Sequence, residues 1–259
     1  ENCLRGYYTT CLNYGNYEMG HRHFGFLTNG AYAEYAACHD TTLHKLPDSI
    51  SFEEGAVLTL VGTSMYGFER IGWVKPGETV VVLGPGAMGN VSAQIAKITG
   101  AGRVIMTGTR EERLAMGRQV GVDITINVRE ENPVERVMEL TNGVGADMII
   151  ECTGQPGPVV EAFDMIRKNG RLSINGVYHQ PVAIPLNKIV QWNMIITGPK
   201  AEGGWAMERA IPLLADGRLN LKPLITHKFS LDDVNEALDT FTQRKGGAIK
   251  VILKPGGVA

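Results

Sequence analysis

The sequence predicts an α/β fold: a doubly wound parallel sheet joined to an irregular, β-rich N-terminal lobe. Three observations predict it. From Thr79 onward, short continuous apolar runs recur, as expected of strands buried on both faces. These runs alternate with segments whose apolar residues fall at helical spacing, the pattern of βαβ units. A glycine cluster, Gly84 to Gly89, sits between the first such run and the first such helix.

The elements follow in order. Residues 1–47 are rich in Gly, Asn and Tyr and read as a loop-rich lobe, with Gly30-Ala31-Tyr32-Ala33-Glu34-Tyr35-Ala36 as a strand and Leu46-Pro47-Asp48 as a turn into a helix. Thr79–Leu83 is the first apolar strand, and Met88, Val91, Ile95 and Ile98 give the next helix its face. Arg103–Thr107 is a second strand. Arg110–Val120 is a charged helix that Gly121 ends as its C′ residue. Asp123–Asn127 is a third strand. Asn132-Pro133 supplies an N-cap followed by proline at the first helical position, and Val134, Val137 and Met138 form the stripe of that helix. Asp147–Glu151, Arg171–Ile174 and Met194–Thr197 are strands four to six, with a helix carrying Val159, Phe163 and Ile166 inward after the fourth. A helix over 204–216 turns Met207, Ala210, Ile211 and Leu214 inward. Another begins at Ser230, with Asp233 completing a capping box and Val234, Ala237, Leu238 and Phe241 as its stripe. Ile249–Leu253 is a closing strand.

Composition excludes several functions. At 44% hydrophobic and 20% charged residues, the 259-residue chain is ordinary for a globular protein. A formal net charge of -2 offers no footprint for nucleic acid, and no apolar run approaches the roughly 20 residues that cross a bilayer. Glu1-Asn2-Cys3-Leu4-Arg5 has no apolar h-region, so a cytoplasmic compartment is expected; without an initial Met the chain is expected to be processed or truncated. The four cysteines, Cys3, Cys11, Cys38 and Cys152, then read as reduced thiols or metal ligands rather than disulfides, with Cys38 and Cys152 as small buried hydrophobes.

The glycine cluster carries the chemistry. Gly84-Pro85-Gly86-Ala87-Met88-Gly89 is a G-x-G-x-x-G in the strand–turn–helix context that gives the motif meaning. Gly84 permits the tight turn, Gly86 removes the Cβ that would block a pyrophosphate, and Gly89 lets helix and strand close up. The helix N-terminus adds unpaired N–H groups and a positive dipole. At the end of strand two, an NAD site carries an acid for the ribose 2′-OH. Here Met106-Thr107-Gly108-Thr109-Arg110 puts Gly108 in that place. A glycine leaves room for a 2′-phosphate, Thr109 can donate to it, and Arg110 can make charge-assisted bonds, with Arg113 one turn on. The expected cofactor is therefore NADP(H).

With these residues in view, the chain resembles the zinc-type medium-chain dehydrogenases/reductases, the alcohol dehydrogenase superfamily, over nearly its whole length. Val74-Lys75-Pro76-Gly77-Glu78-Thr79-Val80 is similar to that family's entry into its Rossmann domain, and Gly108-Thr109-Arg110 to its NADP-dependent secondary alcohol dehydrogenases. Glu151-Cys152-Thr153-Gly154 resembles its segment after strand four; Asn169-Gly170-Arg171 with Gly176-Val177 resembles its nicotinamide-side loop. Gly30–Tyr35 is similar to late strands of its GroES-like catalytic domain. The resemblance implies a remnant of that GroES-like domain with a partial zinc lobe over 1–61, the NADP-binding domain over 62–200, and helices and a strand returning to the catalytic domain over 201–259. It further implies nucleotide contacts at Cys152, Thr153, Gly176 and Val177, a hydroxyl near the nicotinamide at Ser64, and a homodimer or homotetramer pairing near 194–198.

The same resemblance matches Cys3 and Cys11, eight apart, to the third and fourth ligands of a structural zinc; the first two would precede residue 1, and two thiolates alone do not complete a tetrahedral site. Where the family supplies a further catalytic-zinc ligand just before Ser64, this chain has Thr59-Leu60-Val61-Gly62, none of them a zinc ligand. His21-Arg22-His23 fits a solvated loop better than a metal site. The implied activity is hydride transfer between NADP(H) and a small alcohol, aldehyde or ketone. A zinc-free quinone or enone reductase, and a cofactor-binding module without turnover, stay open beside it.

Overall fold

A computed structural model describes residues 2–5, 7–19, 23–203 and 205–257; the side chains of Cys3, Tyr8 and Thr41 lie outside it. Short 3-10 turns occupy Cys3–Arg5, Tyr8–Thr10 and Asp40–Thr42, and helix α1 is one turn, Phe52–Gly55. Ser51 caps α1 with a full capping box, accepting from Glu54 N while the Glu54 side chain returns to the Ser51 N–H. Helix α2, Leu58–Ile71, ends at Gly72 in the left-handed region. Then β1 (Thr79–Leu83), α3 (Ala87–Thr99), β2 (Arg103–Gly108), α4 (Glu111–Gln119), β3 (Ile124–Asn127), α5 (Pro133–Leu140), β4 (Ala146–Glu151), α6 (Pro156–Met165) and β5 (Ile166–Ile174) alternate without interruption. α7 (Leu186–Gln191), β6 (Ile195–Thr197), α8 (Ala206–Ala215), β7 (Ile225–Ser230), α9 (Val234–Gln243) and β8 (Lys250–Lys254) complete the chain.

Strands β1 to β6 form one parallel sheet in the order β3-β2-β1-β4-β5-β6, the doubly wound arrangement, in which the order reverses beside β1. Period-two alternation sorts its side chains into two cores. Val80 and Val82 of β1, Val104 and Met106 of β2, and Met148 and Ile150 of β4 face one core with Val61, Phe68, Val91 and Ile95 from α2 and α3. Val81, Leu83, Ile105 and Ile149 face the other with Val137, Val159 and Phe163 from α5 and α6. At roughly 1.5–3 kcal/mol for each large side chain buried, these two layers dominate the fold's stability.

Three expectations need correction. Gly30–Ala36 is not a strand: residues 31–34 are bends, and the one bridge nearby joins Phe24 to Thr28. The alternation is there, but no neighbouring strand among the described residues pairs with it. The last helix starts at Val234, not Ser230; Ser230 Oγ donates to Asp233 Oδ2, and its stripe is only partly covered, with Leu238 48% and Phe241 53% exposed. Cys38 is exposed rather than buried. Sequence reading also passed over β7, which pairs in parallel with β8, and the buried helix α2. His21 and Arg22 lie outside the described residues. No helix among the described residues is long and apolar enough to cross a membrane.

Candidate functional site

The turn from β1 to α3 is shaped by its glycines. Gly84 has φ +101, the left-handed region that a side chain strains, and its N–H donates to Thr107 O at 3.0 Å. A Cβ on Gly89 would enter the van der Waals shell of Gly84 O, so glycine there lets α3 sit against the turn. A Cβ on Gly86 would meet nothing within 4 Å. The space in front of Gly86 is thus open, and Gly86 is also the N-cap of α3, with no side chain bonding the first-turn N–H groups. Ala87 and Met88 form that first turn. The loop is held from behind by Asn90, whose Nδ2 donates to Pro85 O (3.1 Å) and Gly86 O (2.9 Å). Backbone donors, a helix N-terminus and an absent side chain make a fit for a diphosphate.

At the end of β2, Gly108 is buried, Thr109 exposed and Arg110 half-buried. Arg110 is the N-cap of α4, and its side chain makes no capping bond there. Gly108 has a reason the sequence did not show: a Cβ there would fall 2.5 Å from Pro85 Cγ and 2.7 Å from its Cδ. Arg113 is half-buried, its Nη2 donating to Ala248 O while its buried Nε has no partner. Burial first, then the charges of Arg244 and Arg110, lower its pKa.

At the ends of β4 and β5, Glu151 organises the backbone. It is fully buried and its Oε1 accepts from Thr153 N (2.5 Å), Thr153 Oγ1 and Gly154 N (3.1 Å). Its carbonyl accepts from Asn175 N and Gly176 N, which draws the two loops together. Burial, followed by Glu151, keeps the nearby Tyr178 phenol protonated. Val177 is 74% exposed. The Cys152 thiol is pushed up to about 12 by burial, then by the Glu151 charge. Ser64 is fully buried in α2, its Oγ 2.8 Å from Ser92 Oγ, which lies 3.8 Å from Cys152 Sγ. Sequence reading missed Asn90, Glu151 and Ser92, all buried polar residues whose partners are set by the turn or come from elsewhere in the chain.

The predicted nucleotide-site residues of the glycine turn, Gly108 to Arg110, Cys152, Thr153, Gly176 and Val177 therefore lie along the carboxyl ends of β1, β2, β4 and β5, whereas Ser64 lies in α2 and Cys3 and Cys11 in the N-terminal lobe. Two further concavities, of 340 and 320 Å³, lie at the opposite edge of the sheet. The charged groups Arg167–Asp147 and Arg171–Glu78 at that edge already pair with each other.

The zinc expectations find less support in the donor set. Cys11 is a half-buried free thiol, and the side chain of Cys3 lies outside the described residues. Thr59 is exposed, with its carbonyl bonded to Thr63 Oγ1. His23 stacks on Phe26 and meets the edge of Tyr14. Among the described residues no three His, Cys, Asp or Glu converge on a point that could hold a metal.

Comparison with known proteins places this geometry. The family pattern described as zinc-binding dehydrogenase matches residues 87–215. A sorbitol dehydrogenase of Halalkalibacterium halodurans is 31% identical over 256 residues, covering 98% of this chain and 71% of that protein. A sorbitol dehydrogenase of Mus musculus is 36% identical over 214 residues, 82% of this chain and 58% of that protein. The solved structure of an alcohol dehydrogenase from Thermus sp. ATN1 superposes with a TM-score of 0.86 at 28% identity, covering 98% of this chain and 73% of that one.

Proposed function

The chain belongs to the zinc-type medium-chain dehydrogenase/reductase family, the alcohol dehydrogenase superfamily, and from that premise we propose that it binds NADP(H) and serves hydride transfer to or from a small alcohol, aldehyde or ketone. The observation that carries the reading is the open space before Gly86, flanked on the ribose side by Gly108, Thr109 and Arg110 instead of a carboxylate.

Bound nicotinamide supplies the hydride chemistry. The protein's residues supply position and field. Gly84, Gly86 and Gly89 with the N-terminus of α3, at Ala87 and Met88, cradle the diphosphate. Thr109 and Arg110 face the adenosine ribose and favour a 2′-phosphate, while Arg113, one turn on, is held by the Ala248 carbonyl. Cys152, Thr153, Gly176 and Val177 line the nicotinamide side, with the Glu151 bonds fixing both loops. Ser64 acts from behind, through Ser92, as a positioning residue. The boundaries proposed for the three regions stay at 1–61, 62–200 and 201–259. Pairing of two chains through the free edge of β6, where Ile195 is 51% exposed, is the proposed oligomer contact.

Titration of the chain with NADPH and NADH by quenching of tryptophan fluorescence tests the reading. NADPH is expected to bind more tightly, and Arg110→Ala to weaken NADPH about tenfold while leaving NADH nearly unchanged, the effect of one charge-assisted bond. Tighter binding of NADH by the unmodified chain overturns the cofactor assignment. Absorbance at the reduced nicotinamide band with an alcohol and carbonyl panel then separates turnover from binding alone.

A further inference from the structure

The βαβ rule looks for the ribose-side reader immediately after β2. In this chain a third cation, Arg244, comes to that region from 136 residues beyond Gly108. Arg244 closes α9 in the left-handed conformation, φ 56 and ψ 38, where glycine or asparagine is the usual occupant. An arginine there costs about 1 kcal/mol of backbone strain relative to glycine, so the helix stop does not explain it. Arg244 is exposed and has no side-chain hydrogen bond or ion pair among the described residues. The neighbouring Lys245, by contrast, is paired with Asp239.

The turn that carries Arg244 is fixed to the site. Four residues later the Ala248 carbonyl accepts the hydrogen bond from Arg113 Nη2 on α4, the helix whose N-cap is Arg110. Arg113 is thereby committed to the backbone, and its buried Nε points to no partner. The charges of Arg244 and Arg110 both act on Arg113, and that of Glu112 acts in the opposite sense. Glu111, the other acid of this turn, is already paired with Arg118. Two further guanidiniums close enough to act on Arg113 leave an excess of positive charge beside it that an anion would offset.

We propose that Arg244, carried by the C-terminal turn that docks on α4, is a specificity-determining residue that grips the phosphate on the adenosine ribose together with Arg110. The inference rests on the NADP(H) reading and deepens it. The pocket is closed by two parts of the chain: α4 supplies one arm and the Arg244 turn the other. Arg113 is the pin between them rather than a ligand.

The test uses Arg244→Gly, which keeps and favours the left-handed backbone, so folding is preserved. Dissociation constants for NADPH, NADH, 2′,5′-ADP and 5′-AMP are measured by calorimetry on the unmodified chain, Arg110→Ala and Arg244→Gly. Expected is a loss of about tenfold for NADPH and 2′,5′-ADP in Arg244→Gly, with NADH and 5′-AMP within about twofold, and a shallower salt dependence. If the unmodified chain prefers the 2′-phosphate ligands and Arg110→Ala weakens them, yet Arg244→Gly does not, the inference fails and the cofactor reading stands. Equal losses for all four ligands also overturn it, because Arg244 would then act on the fold. No preference for 2′-phosphate in the unmodified chain removes the cofactor reading and this inference with it.

Discussion

The ring of Pro85 occupies the space that any side chain at Gly108 would need, with Cγ and Cδ 2.5 and 2.7 Å from where a Cβ would stand. The second residue of the glycine turn and the last residue of β2 are therefore one steric unit. Introducing an acid at 108 does more than repel a phosphate; it displaces the loop that holds the diphosphate. Gly108→Ala is expected to cost about 1–3 kcal/mol, as overpacking of a tight site does, and to weaken NADPH and NADH alike. The double change Pro85→Ala with Gly108→Asp relieves the clash and leaves the new charge, so it is expected to restore folding and reverse the preference toward NADH. Urea unfolding and nucleotide titration of both variants check this; a well-folded Gly108→Ala with unaltered affinities would sink the coupling.

That relationship also marks where sequence reading stops. The central strands were legible because strands buried on both faces carry continuous apolar runs, Val80–Leu83 in β1 and Met148–Ile150 in β4. The cap at Asn132-Pro133 was legible because its bonds are local, from Val134 and Glu135 N–H to one side chain. β7, reading Ile-Thr-His-Lys-Phe-Ser, was not, because it is only half-covered and pairs among the described residues with β8 alone. α2 was hidden by Gly62 and Gly67 and by Val57 as an uncapped start. The glycine at 108 is plain in the sequence, but its packing cause lies 23 residues away at Pro85. Arg244 was invisible for the same reason at greater distance: nothing local says that its turn docks on α4.

Ser64 offers a sharper division between holding and touching. Its hydroxyl is fully buried and shares a 2.8 Å hydrogen bond with Ser92, which in turn reaches the Cys152 thiol. Ser64→Ala is expected to lower stability by about 1 kcal/mol, since Ser92 keeps one partner, and to change NADPH affinity by less than about twofold. Thermal unfolding beside a nucleotide titration measures both. A tenfold loss of affinity at unchanged stability would instead put the hydroxyl in contact with the nicotinamide.

Arg171 is a buried charge with a largely buried partner. It is 7% exposed, paired with Glu78, and its guanidinium also donates to Gly72 O (3.1 Å) and Trp73 O, tying β5 to the end of α2. Arg171→Leu leaves the largely buried Glu78 carboxylate and two carbonyls without it, and a loss of about 3–5 kcal/mol is expected. Adding Glu78→Leu removes the stranded charge, so the double variant should recover part of that loss. Urea midpoints for the three proteins decide it; a single variant as stable as the parent would show the pair to be solvated.

Cys152 gives the pH prediction. Burial pushes its thiol up to about 12 against an ordinary 9.0, so the folded state keeps its proton while an unfolded chain loses it. Between those values the folded state binds more protons, and stability from this group is full below about pH 9 and falls as pH rises, at up to about 1.4 kcal/mol per unit. The thiolate is the reactive form, so iodoacetamide at pH 8 should alkylate the exposed Cys38 and spare Cys152 until the chain is unfolded in urea. Mass spectrometry of peptides after timed labelling separates the two sites. Saturating NADPH should leave that ranking unchanged, because protection comes from the fold and not from the ligand. Equal labelling of Cys38 and Cys152 in the folded chain would mean that the thiol beside Ser92 opens to solvent, and the chain of contacts from Ser64 to the nicotinamide-side loop would have to be abandoned with it.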